Sequence, residues 1–246
     1  MHVFYFSKKK IKKIFALFLI IVGIFLLLYQ FLGNYQMIPA FTYNDNRFLN
    51  KTIVIDPGHG GIDVGVIDSK GLMEKDINFK IAKFLKKLLE ESGANCIITR
   101  DKDTDLSYLS NQGKTRQLQD LNARVNLINQ SQADFFVSIH VNSFPKDHRI
   151  KGPMVFYYPQ SKSSKNLAEV IQNRLNIEYN NIYKEEQYNK AKGESFYILK
   201  NTDCPGVIVE VGFMSNEEDY KLLNKAKFKN FIAYQIYIAL GEYLQQ

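Results

Sequence analysis

Two histidines and one glutamate stand at matching points in the chain, each just beyond a short apolar run. Ile53-Val54-Ile55 leads into Asp56-Pro57-Gly58-His59-Gly60-Gly61. Phe135 to Ile139 leads into His140-Val141-Asn142-Ser143, and Val207 to Val209 into Glu210-Val211-Gly212-Phe213. The chain has four histidines, His2, His59, His140 and His148. A single histidine is ordinarily a satisfied core residue, but two at equivalent strand ends with carboxylates nearby point to a metal. Imidazole and carboxylate suit zinc, and a catalytic zinc takes three protein ligands and keeps one position for water. His59 and His140 supply two. The third is an acid on a loop able to fold back over the strand ends. Glu74 is best placed, with Asp63 and Asp68 as local competitors. Glycines at 58, 60, 61 and 65 let the backbone pass close to an ion or substrate. The loop lacks the Lys-Ser/Thr ending of a phosphate-binding P-loop.

Glu210 closes an apolar run, where burial disfavours its charged form. Either it pairs with a buried cation such as Arg100, or it acts as general base toward zinc-activated water. Asp56 is placed to orient a ligating histidine through its second ring nitrogen, or to hold the turn before Pro57. Asn142, two residues past His140, is a candidate substrate contact. Arg100, at a strand end, either binds a substrate carboxylate or pairs with an acid. Cys204 precedes Pro205, but a cysteine nucleophile needs a histidine partner, and both suitable histidines are claimed by the metal. Cys96 and Cys204 are too few for a disulfide framework and read as free buried thiols.

The elements that must position these residues follow a repeated pattern of short apolar run, polar loop and amphipathic helix. Strands are expected over Thr52–Ile55, Cys96–Thr99, Asp134–Ile139, Pro153–Tyr158, Phe196–Leu199 and Val207–Val211. Helices are expected over Asp76–Ser92, Thr115–Gln130, Ser163–Glu178 and Lys227–Tyr243, from apolar residues at helical spacing. Asp76 serves as the first helix's N-cap and Gly93 as its stop. Strands alternating with helices imply an α/β domain with a mainly parallel sheet and helices on both faces.

Upstream of this domain, Ile14 to Leu32 is a run of 19 uncharged, almost wholly apolar residues. At roughly 1.5 Å per residue it nearly covers a ~30 Å hydrocarbon core. Lys8, Lys9, Lys10, Lys12 and Lys13 precede it and set an N-in, C-out orientation. The run is longer than a signal peptide's apolar region and lacks a small-x-small cleavage site. The expected organisation is a basic cytoplasmic tail (1–13), a transmembrane anchor or uncleaved signal (14–33), a linker (34–50) and a catalytic domain (51–246) outside the cytoplasmic membrane. The five lysines account for most of the net charge: 7 − 5 leaves +2 for the remainder. That is too little for a nucleic-acid-binding face, so no nucleic-acid partner is expected.

The chain resembles the zinc-dependent N-acetylmuramoyl-L-alanine amidases of the amidase-3 family. The resemblance rests on IDPGHGGIDVG (Ile55–Gly65), GLMEKDINF (Gly71–Phe79), ITRDKD (Ile98–Asp103), FVSIHVNS (Phe136–Ser143) and VIVEVGFMSN (Val207–Asn216). It implies a single domain with a central sheet of about six strands. It also implies His59, Glu74 and His140 as ligands of one zinc ion, with Glu210 as the catalytic glutamate. The implied substrate is peptidoglycan, cut at the amide between N-acetylmuramic acid and L-alanine. An N-terminal anchor, a lone catalytic domain and no wall-binding repeats resemble the germination-specific amidases of spore formers, which strip stem peptides from spore cortex on the way to muramic-δ-lactam. A vegetative autolysin of the same chemistry is the alternative. A zinc peptidase on the stem peptide is a further one, although its usual His-x-x-Glu or His-Glu-x-x-His spacing is absent. Having only three protein ligands and a flexible glycine-rich loop also leaves room for an activating or regulatory protein partner.

Overall fold

Alternation of inward-facing residues along the strands builds two cores, one on each side of a sheet. In a computed structural model, residues 8–33, 46–186 and 188–246 are described, with side chains of the first helix from Lys9 to Leu26 only in part. The chain divides into two units, Met1–Tyr43 and Asn44–Gln246.

In the first unit, α1 runs over Lys8–Gly33. Its described large apolar side chains, Ile14 to Leu26, are nearly all exposed. Among the described residues no helix is long and apolar enough to cross a membrane. The described side chains stop at Leu26, short of the roughly 20 residues a span takes.

In the second unit the strands are β1 (Thr52–Pro57), β2 (Asn95–Ile98), β3 (Phe135–Asn142), β4 (Met154–Tyr157), β5 (Lys192–Gly193) and β6 (Gly206–Phe213). They form a six-stranded sheet in the order β2-β1-β3-β6-β4-β5, parallel except where β4 meets β6. The helices are α2 (Glu74–Glu91), α3 (Arg116–Gln130), α4 (Lys162–Tyr183), α5 (Tyr197–Asn201), α6 (Glu217–Leu223) and α7 (Ala226–Tyr243). On one face Ile53, Ile55, Val137, Ile139, Val207 and Val209 pack against α2, α4 and α7. On the other, Val54, Phe136 and Ile208 pack against Val125 and Ile128 of α3 and Ile198 and Leu199 of α5. The expected α/β class and its mainly parallel sheet are therefore present.

Three local expectations need correction. Phe196–Leu199 is not a strand: Tyr197–Asn201 is a short helix, and an isolated apolar run of this length is compatible with either form. The edge strand β5 falls instead on Lys192–Gly193, which carries no apolar pattern. The helix expected from Asp76 begins at Glu74, with Met73 as its N-cap. This two-residue difference places Glu74 in the first turn, where the helix dipole favours a carboxylate. Gly93, at φ 87°, does follow the helix end.

Candidate metal centre

Parallel strands β1, β3 and β6 deliver the chemistry to one edge. The register pairs His140 of β3 directly with Glu210 of β6, so both side chains leave the same face of neighbouring strands. A register shift between His140 and Asn142 marks the end of regular pairing there. His59 lies two residues beyond β1, on the loop that returns to α2. Gly58 is needed where it stands, because a Cβ there would overlap the His140 ring, 2.7 Å from Nδ1 and closer still to Cε1 and Nε2. His59 itself takes the left-handed conformation, φ 61°, which costs an L-residue roughly 1–2 kcal/mol.

These elements converge on Glu74. Its Oε1 lies 3.2 Å from His59 Nε2 and 3.1 Å from His140 Nδ1. The two imidazole rings are 5.0 Å apart and nearly perpendicular. One donor atom from each of His59, Glu74 and His140 lies within 4.8 Å of the others, a spacing that could hold a metal ion. The carboxylate is heavily satisfied: Oε1 accepts from the Val141 N–H at 3.0 Å and from Asn78 Nδ2 at 3.3 Å, and Oε2 from the Val66 N–H at 2.9 Å. Burial would raise the Glu74 pKa, but the two histidines hold it far below the carboxylate range. His59 is the converse: burial would lower it, but Glu74 and Asp63 push it up to about 9.

Glu210 differs in every respect. Its Oε2 is shut off from solvent and has no hydrogen-bond partner among the described residues. Burial pushes its pKa up to about 7, with the Glu74 charge adding to the rise and the two histidines opposing it. An orphaned carboxylate oxygen beside two nitrogens and one oxygen that converge is the donor set a divalent cation with an activated water would use. The residues present fit zinc.

The remaining sequence candidates fall elsewhere. Asp56 does not orient a histidine. It is 1% exposed, with Oδ1 accepting from Thr99 Oγ1 and Arg124 Nη1 and Oδ2 from Ser138 Oγ, each at 2.6 Å. Asp63, weighed above as a ligand, takes the orienting place instead: its Oδ2 is 2.9 Å from His59 Nδ1, and its Oδ1 accepts from the Gly65 N–H. Asp68 is turned away, accepting from the Lys70 and Leu72 N–H groups. Arg100 is 3% exposed and donates to main-chain carbonyls, and it does not pair with Glu210. Asn142 is half-buried and accepts from the Ser143 N–H. His148 is apart, bonded to the Ser215 carbonyl, and His2 lies outside the described residues. Cys96 and Cys204 are free. Sequence reasoning missed Asn78 and Arg124. The signal for Arg124 was present: it occupies the buried stripe of α3 between Leu121 and Ile128, where an unpaired charge would be costly.

Residues 53–242 match the family described as N-acetylmuramoyl-L-alanine amidase. The germination-specific N-acetylmuramoyl-L-alanine amidase of Bacillus subtilis (strain 168) is 35% identical over 241 residues, 97% of each chain. The N-acetylmuramoyl-L-alanine amidase LytC of the same organism is 34% identical over 85% of this chain but only 39% of its own length. Among solved structures, the CwlD amidase from Clostridioides difficile in complex with the GerS lipoprotein superposes with a TM-score of 0.72 at 38% identity, covering 80% of this chain and 99% of that one.

Proposed function

The chain belongs to the N-acetylmuramoyl-L-alanine amidase family, and on that premise we propose that it cuts the muramic acid–L-alanine amide of peptidoglycan with one zinc ion held by His59, Glu74 and His140 and with Glu210 as general base. One observation carries the assignment of roles. Three donors converge within 4.8 Å, and the adjoining strand presents a buried carboxylate oxygen with no partner. When bound, zinc lowers the pKa of water to about 7 and polarises the scissile carbonyl. Glu210 accepts the proton that the attacking water gives up, then returns it to the amide nitrogen as the C–N bond breaks. The products are the lactyl carboxylic acid of muramic acid and the free amine of L-alanine. A base with a pKa near neutrality suits both transfers. Glu74 and the two imidazoles hold position, and Asp63 fixes the His59 tautomer through Nδ1.

A role in removing stem peptides from spore cortex, leading to muramic-δ-lactam, is supported by the match over 97% of both chains with the germination-specific relative. The vegetative alternative has the same chemistry, but LytC is matched over 39% of its length. The complex of the CwlD amidase with a lipoprotein supports an activating protein partner here. An anchor over 14–33, a linker over 34–50 and a catalytic domain over 51–246 complete the reading. It is supported by the helical course of Lys8–Gly33 and by the exposed apolar side chains upon it. On this arrangement the catalytic domain lies outside the cytoplasmic membrane, on the cortex side in a spore former.

The test compares Glu210→Gln with Glu74→Gln in the full chain. Glu210→Gln keeps zinc and loses muropeptide release by roughly 10²-fold or more. Glu74→Gln loses both. Zinc content by atomic emission and release by mass spectrometry decide it. If Glu210→Gln loses zinc while Glu74→Gln keeps it, the two roles are reversed.

A further inference from the structure

The loop that carries His59 is gripped from beneath by two buried guanidinium groups. Arg124, 2% exposed, donates from Nη1 to the Pro57 carbonyl at 3.0 Å and from Nη2 to the His59 carbonyl at 2.8 Å. Arg100, 3% exposed, donates from Nε to the Pro57 carbonyl at 3.0 Å and from Nη2 to the Gly58 carbonyl at 3.2 Å. Three successive carbonyls, 57, 58 and 59, thus point down at two cations. Each arginine is tied in turn to an element outside the loop. Arg124 is held by Asp56 on β1 and, through Nε, by Asp120 at 2.6 Å. Arg100 reaches the Lys75 carbonyl in the first turn of α2 at 2.9 Å, next to Glu74.

Two like charges that share the Pro57 carbonyl repel, and the Arg124 ion pairs with Asp56 and Asp120 offset that repulsion. The loop carbonyls the two arginines bind give them a common target. A non-glycine residue held at φ 61° relaxes to negative φ unless its surroundings over-determine it. Such a relaxation would swing the imidazole off Glu74. The flanking carbonyls are what fix the peptide planes on either side of His59, and these are the groups the guanidiniums hold. A planar guanidinium spreads its donors over three nitrogens and so reaches acceptors that lie too far apart for a single point charge.

We propose that Arg124 and Arg100 are positioning residues that lock the His59 peptide in its left-handed, metal-ready conformation and thereby set zinc affinity. This rests on the zinc site proposed above. The experiment measures zinc dissociation constants on the full chain in detergent micelles, by competition with a chromophoric chelator and with zinc taken to millimolar concentration for weak sites. The variants are Arg124→Lys, Arg100→Lys, His59→Ala and His59→Ala/Arg124→Lys. Lysine keeps the charge but donates from one nitrogen, so it cannot span the acceptors that Arg124 reaches from Nε, Nη1 and Nη2. Arg124→Lys is expected to bind zinc about tenfold to a hundredfold more weakly than wild type, the range seen when groups behind a ligand are removed. Added to His59→Ala, the same change is expected to matter less than twofold, because the residue it positions is gone. A general loss of structure would weaken zinc equally in both backgrounds, and that result overturns the proposal. So does a folded Arg124→Lys with wild-type affinity. If Arg124→Lys does not fold, Arg100→Lys carries the same comparison. Failure of both to fold overturns the proposal, since the groups would then serve the whole domain. A wild-type chain that binds no zinc, or His59→Ala with unchanged affinity, would instead refute the zinc site itself.

Discussion

Gly58→Ala isolates the metal centre from the fold. Gly58 does not occupy a positive-φ conformation, so an alanine meets no backbone penalty there. The nearest obstacle is the His140 ring. The added Cβ would lie 2.7 Å from Nδ1, against an ordinary contact of at least 3.4 Å. The ring must therefore withdraw by 3.4 − 2.7 = 0.7 Å at that atom, and further at Cε1 and Nε2. Metal sites tolerate about ±0.2 Å in ligand distance. The shift exceeds that limit, so His140 is lost as a ligand while its side chain turns to a new rotamer. Zinc affinity should fall at least tenfold, and muropeptide release about 10²-fold, the scale of a 1 Å misplacement. Stability should fall by only about 1–3 kcal/mol, as for a mild overpacking. Zinc titration, muropeptide release and a thermal melt of the metal-free chain read these separately. A folded Gly58→Ala chain with wild-type zinc affinity would show that His140 does not hold the ion from this position.

Asp63→Asn should weaken zinc about tenfold to a hundredfold, measured by chelator competition, because it removes the charged partner of His59 Nδ1. Gly206→Ala should leave the metal centre alone but lower the melting temperature, since its Cβ would overlap the buried Phe136 ring and such overpacking costs about 1–3 kcal/mol. For Asp56, burial would raise the pKa, but the Arg124 charge and bonds from Ser138 and Thr99 bring it from 3.8 to about 2. Because the folded value is the lower one, its stabilisation is complete above about pH 4 and disappears as the pH falls toward 2, an effect of about 2 kcal/mol. Denaturant melts from pH 5 to pH 2 should show this loss in wild type and a flatter profile in Asp56→Asn; equal slopes would refute it.

The main sheet was readable because its central strands are nearly continuous apolar runs flanked by helices of clear period. Where the period failed, so did the reading. Lys192–Gly193 is a strand only because the edge of β4 offers it partners, and no local pattern announces that. Phe196–Leu199 has strand-like residues but packs as a helix end over Phe156 and Ile208. The site followed the same logic. His59, His140 and Glu210 could be located because strand ends are where an α/β sheet collects its chemistry. The choice among Glu74, Asp63 and Asp68 could not be made from spacing. It depends on where α2 starts, and an extra half-turn brings Glu74 to the helix's N-terminal end. Asp56 and Asp63 exchanged expected places for a related reason. Strand alternation sends Asp56 toward Arg124 of α3, while the left-handed turn at His59 brings its ring back onto Asp63.

The two glutamates are best separated by counting what each carboxylate already accepts. Glu74 takes bonds from Val66, Val141 and Asn78 and faces both imidazoles, at the positive end of a helix. Every one of these stabilises the charged form, so the carboxylate resists taking up a proton. Such a group can share its charge with a cation but is a poor base near neutrality. Glu210 lies on the adjoining strand with one oxygen buried and empty, so burial, with the Glu74 charge adding to it, raises its affinity for a proton to near neutrality. Two side chains of one type, driven apart by their surroundings, are the usual way a site divides holding from proton transfer. The division proposed here follows from those surroundings even without the family likeness, because exchanging the roles would require Glu74 to shed most of its hydrogen bonds and Glu210 to acquire some.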